Sequence, residues 1–160
     1  ASLAKPNSLS SWADELALAK QYLSIEQYRL GQRLHLVWQV DGVPSDVPMP
    51  HLTLQPLLEN AVIYGIQPSI QGGTIEVTAA YIKGVFTLQV SNPFMLNVAP
   101  SNPLGTRLAL NNIEARLKVL FGSTARLVTQ QQLDRYTTRL SYTCSRPSAE
   151  APNLDEDLNR

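Results

Sequence analysis

Hydrophobic and polar positions change their period several times along this chain, and each change marks an element. Over residues 8–30, Trp12, Leu16, Ala19, Leu23 and Leu30 fall on one side at helical spacing. Ser10 or Ser11 is placed to cap that helix, and Gly31 to stop it. Leu34, Leu36, Trp38 and Val40 then alternate with His35, Val37 and Gln39, the pattern of a half-buried strand. A proline-rich connection over 42–50 leads to a second helix, roughly 52–65, which the stretch 66–73 breaks. Ile75, Val77 and Ala79, then Phe86, Leu88 and Val90, each alternate with polar neighbours. They predict an antiparallel pair turning near Lys83-Gly84. Residues 93–105 carry three prolines and two asparagines and read as a long loop, of the kind that often carries function. A third helix over 105–121 has Leu110, Ile113, Leu117 and Leu120 as its stripe and Gly122 as its cap. Two strands follow, near 125–131 and 136–144.

This order predicts a two-layer α/β sandwich, with a mixed five-stranded sheet covered on one face by three helices. Residues 1–145 form one domain in this reading. Residues 146–160 are polar and read as a disordered tail. Thirteen basic and thirteen acidic residues cancel among 160, so no nonspecific attraction to nucleic acid or to an acidic membrane surface is expected. One cysteine, Cys144, excludes an internal disulfide and a cysteine-rich zinc site, and its place beside Leu140 and Tyr142 reads as an inert core thiol. No apolar run is long enough to span a membrane. The first residue is Ala1 rather than Met, as in a piece of a longer protein.

The second helix carries the candidate chemistry, in "LQPLLENAVIYG". Leu54, Leu57, Leu58, Ala61 and Gly65 share one face, suited to packing on the sheet. Pro56, Glu59, Asn60, Ile63 and Gln67 form a stripe about opposite. The helix thus reads as buried nearly all round, with a polar notch at Glu59-Asn60. An unpaired buried carboxylate costs several kcal/mol. The pair is therefore either hydrogen-bonded within the core or lines a cavity that holds water, ion or ligand. An amide oxygen is a reasonable magnesium ligand, and a carboxylate can act as a base.

Three segments, in order, resemble one family. "LQPLLENAVIYGI" resembles the N-box of the ATP-binding domain of sensor histidine kinases, within the gyrase–Hsp90–histidine kinase–MutL superfamily. "YLSIEQYRLGQRL" resembles the segment before that box in LytS-like kinases, and "GTRLALNNIEARLKVLFG" their second glycine box and following helix. The look is nearest to the AlgZ (FimS) branch of pseudomonad sensor kinases. The resemblance implies ATP held between the helical layer and a lid, here Pro93 to Leu104. It implies that Asn60 holds Mg²⁺ bound to the triphosphate and that Glu59 orients or deprotonates the acceptor. Gly105 and Thr106 would meet phosphate at a helix N-terminus. It also implies γ-phosphoryl transfer to a histidine. The partners implied are the dimerisation and phosphoacceptor region of the same kinase and a cognate response regulator. The setting implied is the cytoplasmic side of an inner-membrane sensor.

This chain departs from the family pattern at several of these positions. Asn92 stands where an aspartate usually reads the adenine amino group, and the glycines after it are missing. Its amide can accept from that amino group and donate to a ring nitrogen. Ile63 and Tyr64 replace a basic residue and a histidine, so Tyr64 faces the nucleotide without a charge. Arg107 and Ala109 replace two later glycines. Arg107 either returns a positive charge to the phosphates or fills the space where backbone should approach. These changes predict weak nucleotide binding or none. The alternative they open is a degenerate ATPase fold that docks a response regulator or partner kinase without ATP turnover. His35 and His51 read as surface or edge imidazoles, which puts the acceptor histidine outside the chain. Asn112 and Arg116 read as structural, by capping or by an ion pair. No Ser–His–Asp set, Walker A loop or metal-ligand cluster is visible.

Overall fold

The computed structural model describes residues 8–94 and 103–147. Seven strands and three helices run β1 (Leu9–Ser11), α1 (Trp12–Leu30), β2 (Leu34–Gln39), β3 (Pro48–Pro50), α2 (Leu54–Ala61), β4 (Gly73–Ile82), β5 (Val85–Pro93), α3 (Pro103–Phe121), β6 (Arg126–Gln132) and β7 (Arg135–Thr143). The main sheet has the order β2-β4-β5-β7-β6. β2 pairs parallel with β4, and the other neighbours pair antiparallel. This is the expected mixed five-stranded sheet. Along β4, β5 and β7 the residues facing the helices are buried while their neighbours are more open, so a single face is covered.

The small sheet was missed. β1 and β3 pair antiparallel, with Ser10 opposite Met49, inside stretches read as helix and connection. A three-residue ladder flanked by prolines is too short to show alternation. Its consequence is that α1 begins at Trp12, with Ser11 as N-cap accepting from Asp14 N at 3.2 Å. The core centres on four aromatic rings. Trp12 and Phe86 lie 5.4 Å apart, Phe86 and Tyr142 5.3 Å, and Phe121 stacks on Tyr142 at 4.1 Å. The Tyr142 hydroxyl donates to Pro48 O at 2.7 Å, and burial pushes its pKa well up.

α1 and α2 pack side by side in parallel, because α2 is gripped at both ends by charges from the α1 segment. The Glu15 carboxylate, 1% exposed, accepts from the N–H groups of Leu52 (2.9 Å), Thr53 (3.1 Å) and Leu54 (3.3 Å). It satisfies donors that a helix start leaves unpaired, at the end where a negative charge is favoured. At the other end α2 widens into one π-helical turn, Val62–Ile66. The Arg33 guanidinium, just past α1, donates to Ile66 O (3.3 Å), Gln67 O (3.0 Å) and Ser69 O (2.8 Å). A cation there completes the macrodipole. Arg116 of α3 donates to His51 O at 2.7 Å and Leu52 O at 2.9 Å, which agrees with its structural reading.

Removing the Glu15 carboxylate leaves three buried or half-buried N–H groups without an acceptor. Glu15→Ala is expected to cost about 2–4 kcal/mol. Urea unfolding at neutral pH checks this; a loss under about 0.5 kcal/mol, the size of an ordinary surface change, would contradict it.

Candidate functional site

A cavity of about 390 Å³ opens between α2, α3 and the adjoining ends of β5, β6 and β7. α2 contributes Leu57, Asn60 and Ala61, and its π turn contributes Tyr64. These lie three, four and seven positions apart, so they form one helical stripe. That stripe is not the one expected. Leu57 and Ala61 were assigned to the sheet-facing side, yet they share the cavity wall with Asn60. Glu59 and Ile63 share with Asn60 the stripe read as opposite the sheet, yet neither lines the cavity. Glu59 turns toward α1. It accepts from Gln55 Nε2 at 2.9 Å; burial, then the charge of Glu26 and then that of Glu59 push the Tyr22 hydroxyl up to about 12. Ile63 is 39% exposed. α2 itself is buried or half-buried throughout, as expected, and the exposed position comes only in the π turn that follows it.

The Asn60 amide is the group that most needs a partner. Its Nδ2 is buried and makes no hydrogen bond. Such a group costs stability unless something meets it. A half-turn of the amide presents the oxygen at the same spot, so the group can serve a donor, an acceptor or a cation. Asn92, 6% exposed, lies on the opposite wall. Its Nδ2 donates to Pro93 O at 2.8 Å, which leaves its oxygen as the acceptor for a ligand. Gly65 makes this placement possible. A Cβ there would stand 2.8 Å from Asn92 Nδ2, 2.9 Å from its Cβ and 3.0 Å from Pro93 O.

α3 supplies Thr106, Arg107, Leu110 and Asn111. It begins at Pro103, two residues before the expected start, so Gly105 falls in its first turn rather than at its opening. Thr106 and Arg107 reach the cavity; Gly105 does not line it. Arg107 is exposed at the rim, and the cavity stays open beside it. Of the loop from Pro93 to Leu104, residues 95–102 lie outside the described residues, as does the stretch 148–160. Glu59 and Gly105 are thus the two sequence-predicted site residues that the cavity does not gather.

Leu127, Thr129, Tyr136 and Thr138, which were not anticipated, complete the wall together with Phe94 from the start of the expected lid. Thr138 pairs with Thr129 and with Val90, and Tyr136 with Asn92, so strand register brings them to the helix side. The signal was present: Thr138 and Tyr136 continue the alternation of Tyr142 and Leu140, as polar residues at core-facing positions. Phe94 stacks on Tyr136 at 6.1 Å, and its N–H donates to Asp134 O at 2.7 Å. Together the walls offer apolar and aromatic surface, three amides (Asn60, Asn92 and Asn111), hydroxyls and one rim cation. Such a lining suits a flat polar ring attached to an anion.

No protein-family model matches the chain. Over 115 residues it is 30% identical to the sensor histidine kinase YpdA of Escherichia coli, covering 68% of this chain and 20% of that protein. Over 144 residues it is 28% identical to the sensor histidine kinase/phosphatase LytS of Staphylococcus aureus, covering 83% of this chain and 24% of LytS. Its homologues are sensor histidine kinases. Among solved structures, the catalytic domain of histidine kinase ThkA superposes with a TM-score of 0.63 at 11% identity, covering 85% of this chain and 97% of that one. Full-length ShkA in complex with AMPPNP superposes with a TM-score of 0.59 at 19% identity, covering 91% and 33%. ThkA has also been solved with the response regulator protein TrrA. The fold is that of histidine kinase catalytic domains. This chain spans only 20% and 24% of the two sensor kinases compared. No helix among the described residues is long and apolar enough to cross a membrane.

Two consequences can be measured. Gly65→Ala forces Asn92 aside and is expected to cost about 1–3 kcal/mol. It should also move the Asn92 side-chain amide signal in a ¹⁵N-correlated spectrum; an unmoved signal would contradict the close approach. Burial pushes the Cys144 thiol up to about 11, so at neutral pH it is almost wholly protonated. Its alkylation by iodoacetamide should quicken about tenfold per pH unit from 7 to 10, because each unit raises the thiolate fraction tenfold. A plateau near pH 8.5 would contradict the burial.

Proposed function

We propose that this chain is the catalytic, ATP-binding domain of a two-component sensor histidine kinase. In this reading it transfers the γ-phosphoryl group of MgATP to a histidine outside the chain, from which a cognate response regulator receives it. The carrying observation is the Asn60 amide, whose Nδ2 is buried without a partner, on the wall of a nucleotide-sized cavity within the stretch that resembles the N-box. The residues present fit MgATP. Mg²⁺ keeps most of its shell as water and phosphate oxygen and needs only one or two protein ligands, a demand that one amide oxygen meets. Bound there, it would neutralise charge on the triphosphate. Asn92 would accept from the adenine amino group, with Tyr64 beside the nucleotide. Arg107 and the first turn of α3, from Gly105 to Thr106, would face the phosphates.

Glu59 takes its role from its outward position. The acceptor arrives from outside the domain, so a carboxylate next to Asn60 but on the outer side of α2 suits the acceptor rather than the nucleotide. The missing glycines still favour weak binding, and they motivate the alternative of an interaction module without turnover. The open cavity beside Arg107 weighs toward nucleotide. Placement in the AlgZ branch and on the cytoplasmic side of an inner-membrane sensor belongs to the same proposal and rests on the resemblance.

Calorimetric titration with AMPPNP and Mg²⁺ tests the reading. Binding is expected for the native chain and should weaken about tenfold or more in Asn60→Ala, a loss of about 1.4 kcal/mol. No heat at millimolar nucleotide would overturn it.

A further inference from the structure

α3 carries an exposed stripe that the fold does not use. Leu108, Asn112, Ala115 and Val119 follow one another at four- and three-residue steps, so they share one side of the helix. All four are exposed, Leu108 at 59% and Val119 at 71%. The flank of the stripe nearer the cavity is cationic. Arg107 and Lys118 stand there, both exposed and without an ion pair among the described residues. Glu114, the single acidic residue of α3, is turned to β6 and accepts from Leu127 N at 2.8 Å. Arg116, on the other flank, is taken up by His51 O and Leu52 O. The stripe is therefore largely apolar, with positive charge along one side and no carboxylate to answer it.

The sequence beyond β7 supplies the complement. Glu150, Asp155, Glu156 and Asp157 are four of the chain's thirteen acidic residues, close together near its end. Leu154 and Leu158 bracket three of them at a four-residue step, the spacing at which two side chains meet one helix groove. α3 finishes beside the strand from which this segment leaves, because Phe121 stacks on Tyr142 at 4.1 Å. Arg146, which donates to Asp46 Oδ1 at 2.8 Å, holds the chain at that end of the sheet. From Pro147 to Leu154 an extended chain reaches up to about 23 Å. The stripe from Val119 to Leu108 is about 16 Å long, so the segment is long enough to run back along it.

We propose that the α3 stripe, Leu108, Ala115 and Val119 flanked by Arg107 and Lys118, receives residues 150–158 of the same chain. Leu154 and Leu158 cover the apolar positions, and the acidic run answers the two cations. A second copy of α3 would set Arg107 and Lys118 against their own equivalents, which disfavours self-pairing. α3 also bears Thr106, Arg107 and Asn111 on the cavity wall, so the contact braces one side of the site. This contact is separate from the kinase reading and holds whether or not nucleotide binds.

The test uses the whole chain with a photo-crosslinking amino acid in place of Ala115. Irradiation is expected to give an intramolecular crosslink to the peptide that contains Leu154 and Leu158, at a yield independent of protein concentration. Leu154→Glu combined with Leu158→Glu should lower that yield about tenfold or more, because both apolar contacts are lost. Asp155→Asn, Glu156→Gln and Asp157→Asn together should lower it about threefold or more, and raising salt to about 0.5 M should act in the same direction. Both sets of substitutions leave the core of the domain untouched, which an unchanged urea midpoint checks. A crosslink between two copies, a crosslink elsewhere in the chain, or none at all would overturn the proposal. So would an undiminished yield in the double leucine variant. Capture of the chain on phosphatidylserine vesicles in place of the crosslink would assign the stripe to a membrane surface, and would equally overturn it.

Discussion

The cavity depends on the way α2 is held. This helix is short, and one end of it is a π turn. Alone it would be marginal in water. It is fixed by a buried anion at its start and a guanidinium at its finish, both supplied by the segment that includes α1. Those two contacts set the rotation of α2 about its own axis. Rotation decides everything that follows, because Asn60 faces the cavity and Glu59 faces away although they are adjacent.

That rotation separates two chemical roles that the sequence places side by side. One wall of α2 presents an amide, a small alanine and an aromatic phenol to the cavity. The outer side carries a half-buried carboxylate turned toward α1 and, in the π turn, an exposed isoleucine. The π turn extends the inner stripe to Tyr64, and Gly65 then passes close enough to β5 for Asn92 to stand opposite. The cavity is therefore assembled from both layers. Helices bring the groups with unmet hydrogen bonds, and the sheet brings the hydroxyls and rings of β6 and β7.

Much of this was legible in the chain. Strong alternation gave all five strands of the main sheet, and helical stripes gave three helices. The family resemblance pointed to Asn60, Tyr64, Asn92, Thr106 and Arg107, all of which the cavity gathers. What periodicity could not give was the phase of α2. Its apolar residues surround it, so no stripe is unambiguous. The π turn, which no residue pattern announces, changes the phase further. Glu15 was hidden for a related reason. A carboxylate at a helical position inside an apolar stripe looks like an ordinary surface residue until the start of another helix is brought against it. The β1–β3 pair escaped because three residues are too few for a period.

One backbone unit joins these parts. Leu52 adopts the left-handed conformation, at φ 57, without being a glycine. Its N–H is held by Glu15 of α1, its C=O by Arg116 of α3, and the next turn of chain begins α2. Such a conformation persists only where its surroundings over-determine it. Leu52 is thus a shared joint: the helix bearing Arg107, the helix bearing Asn60 and the helix bearing Glu15 all bear on a single residue. A tilt of α3 relative to α1 therefore bears on the residue from which the Asn60-bearing helix starts.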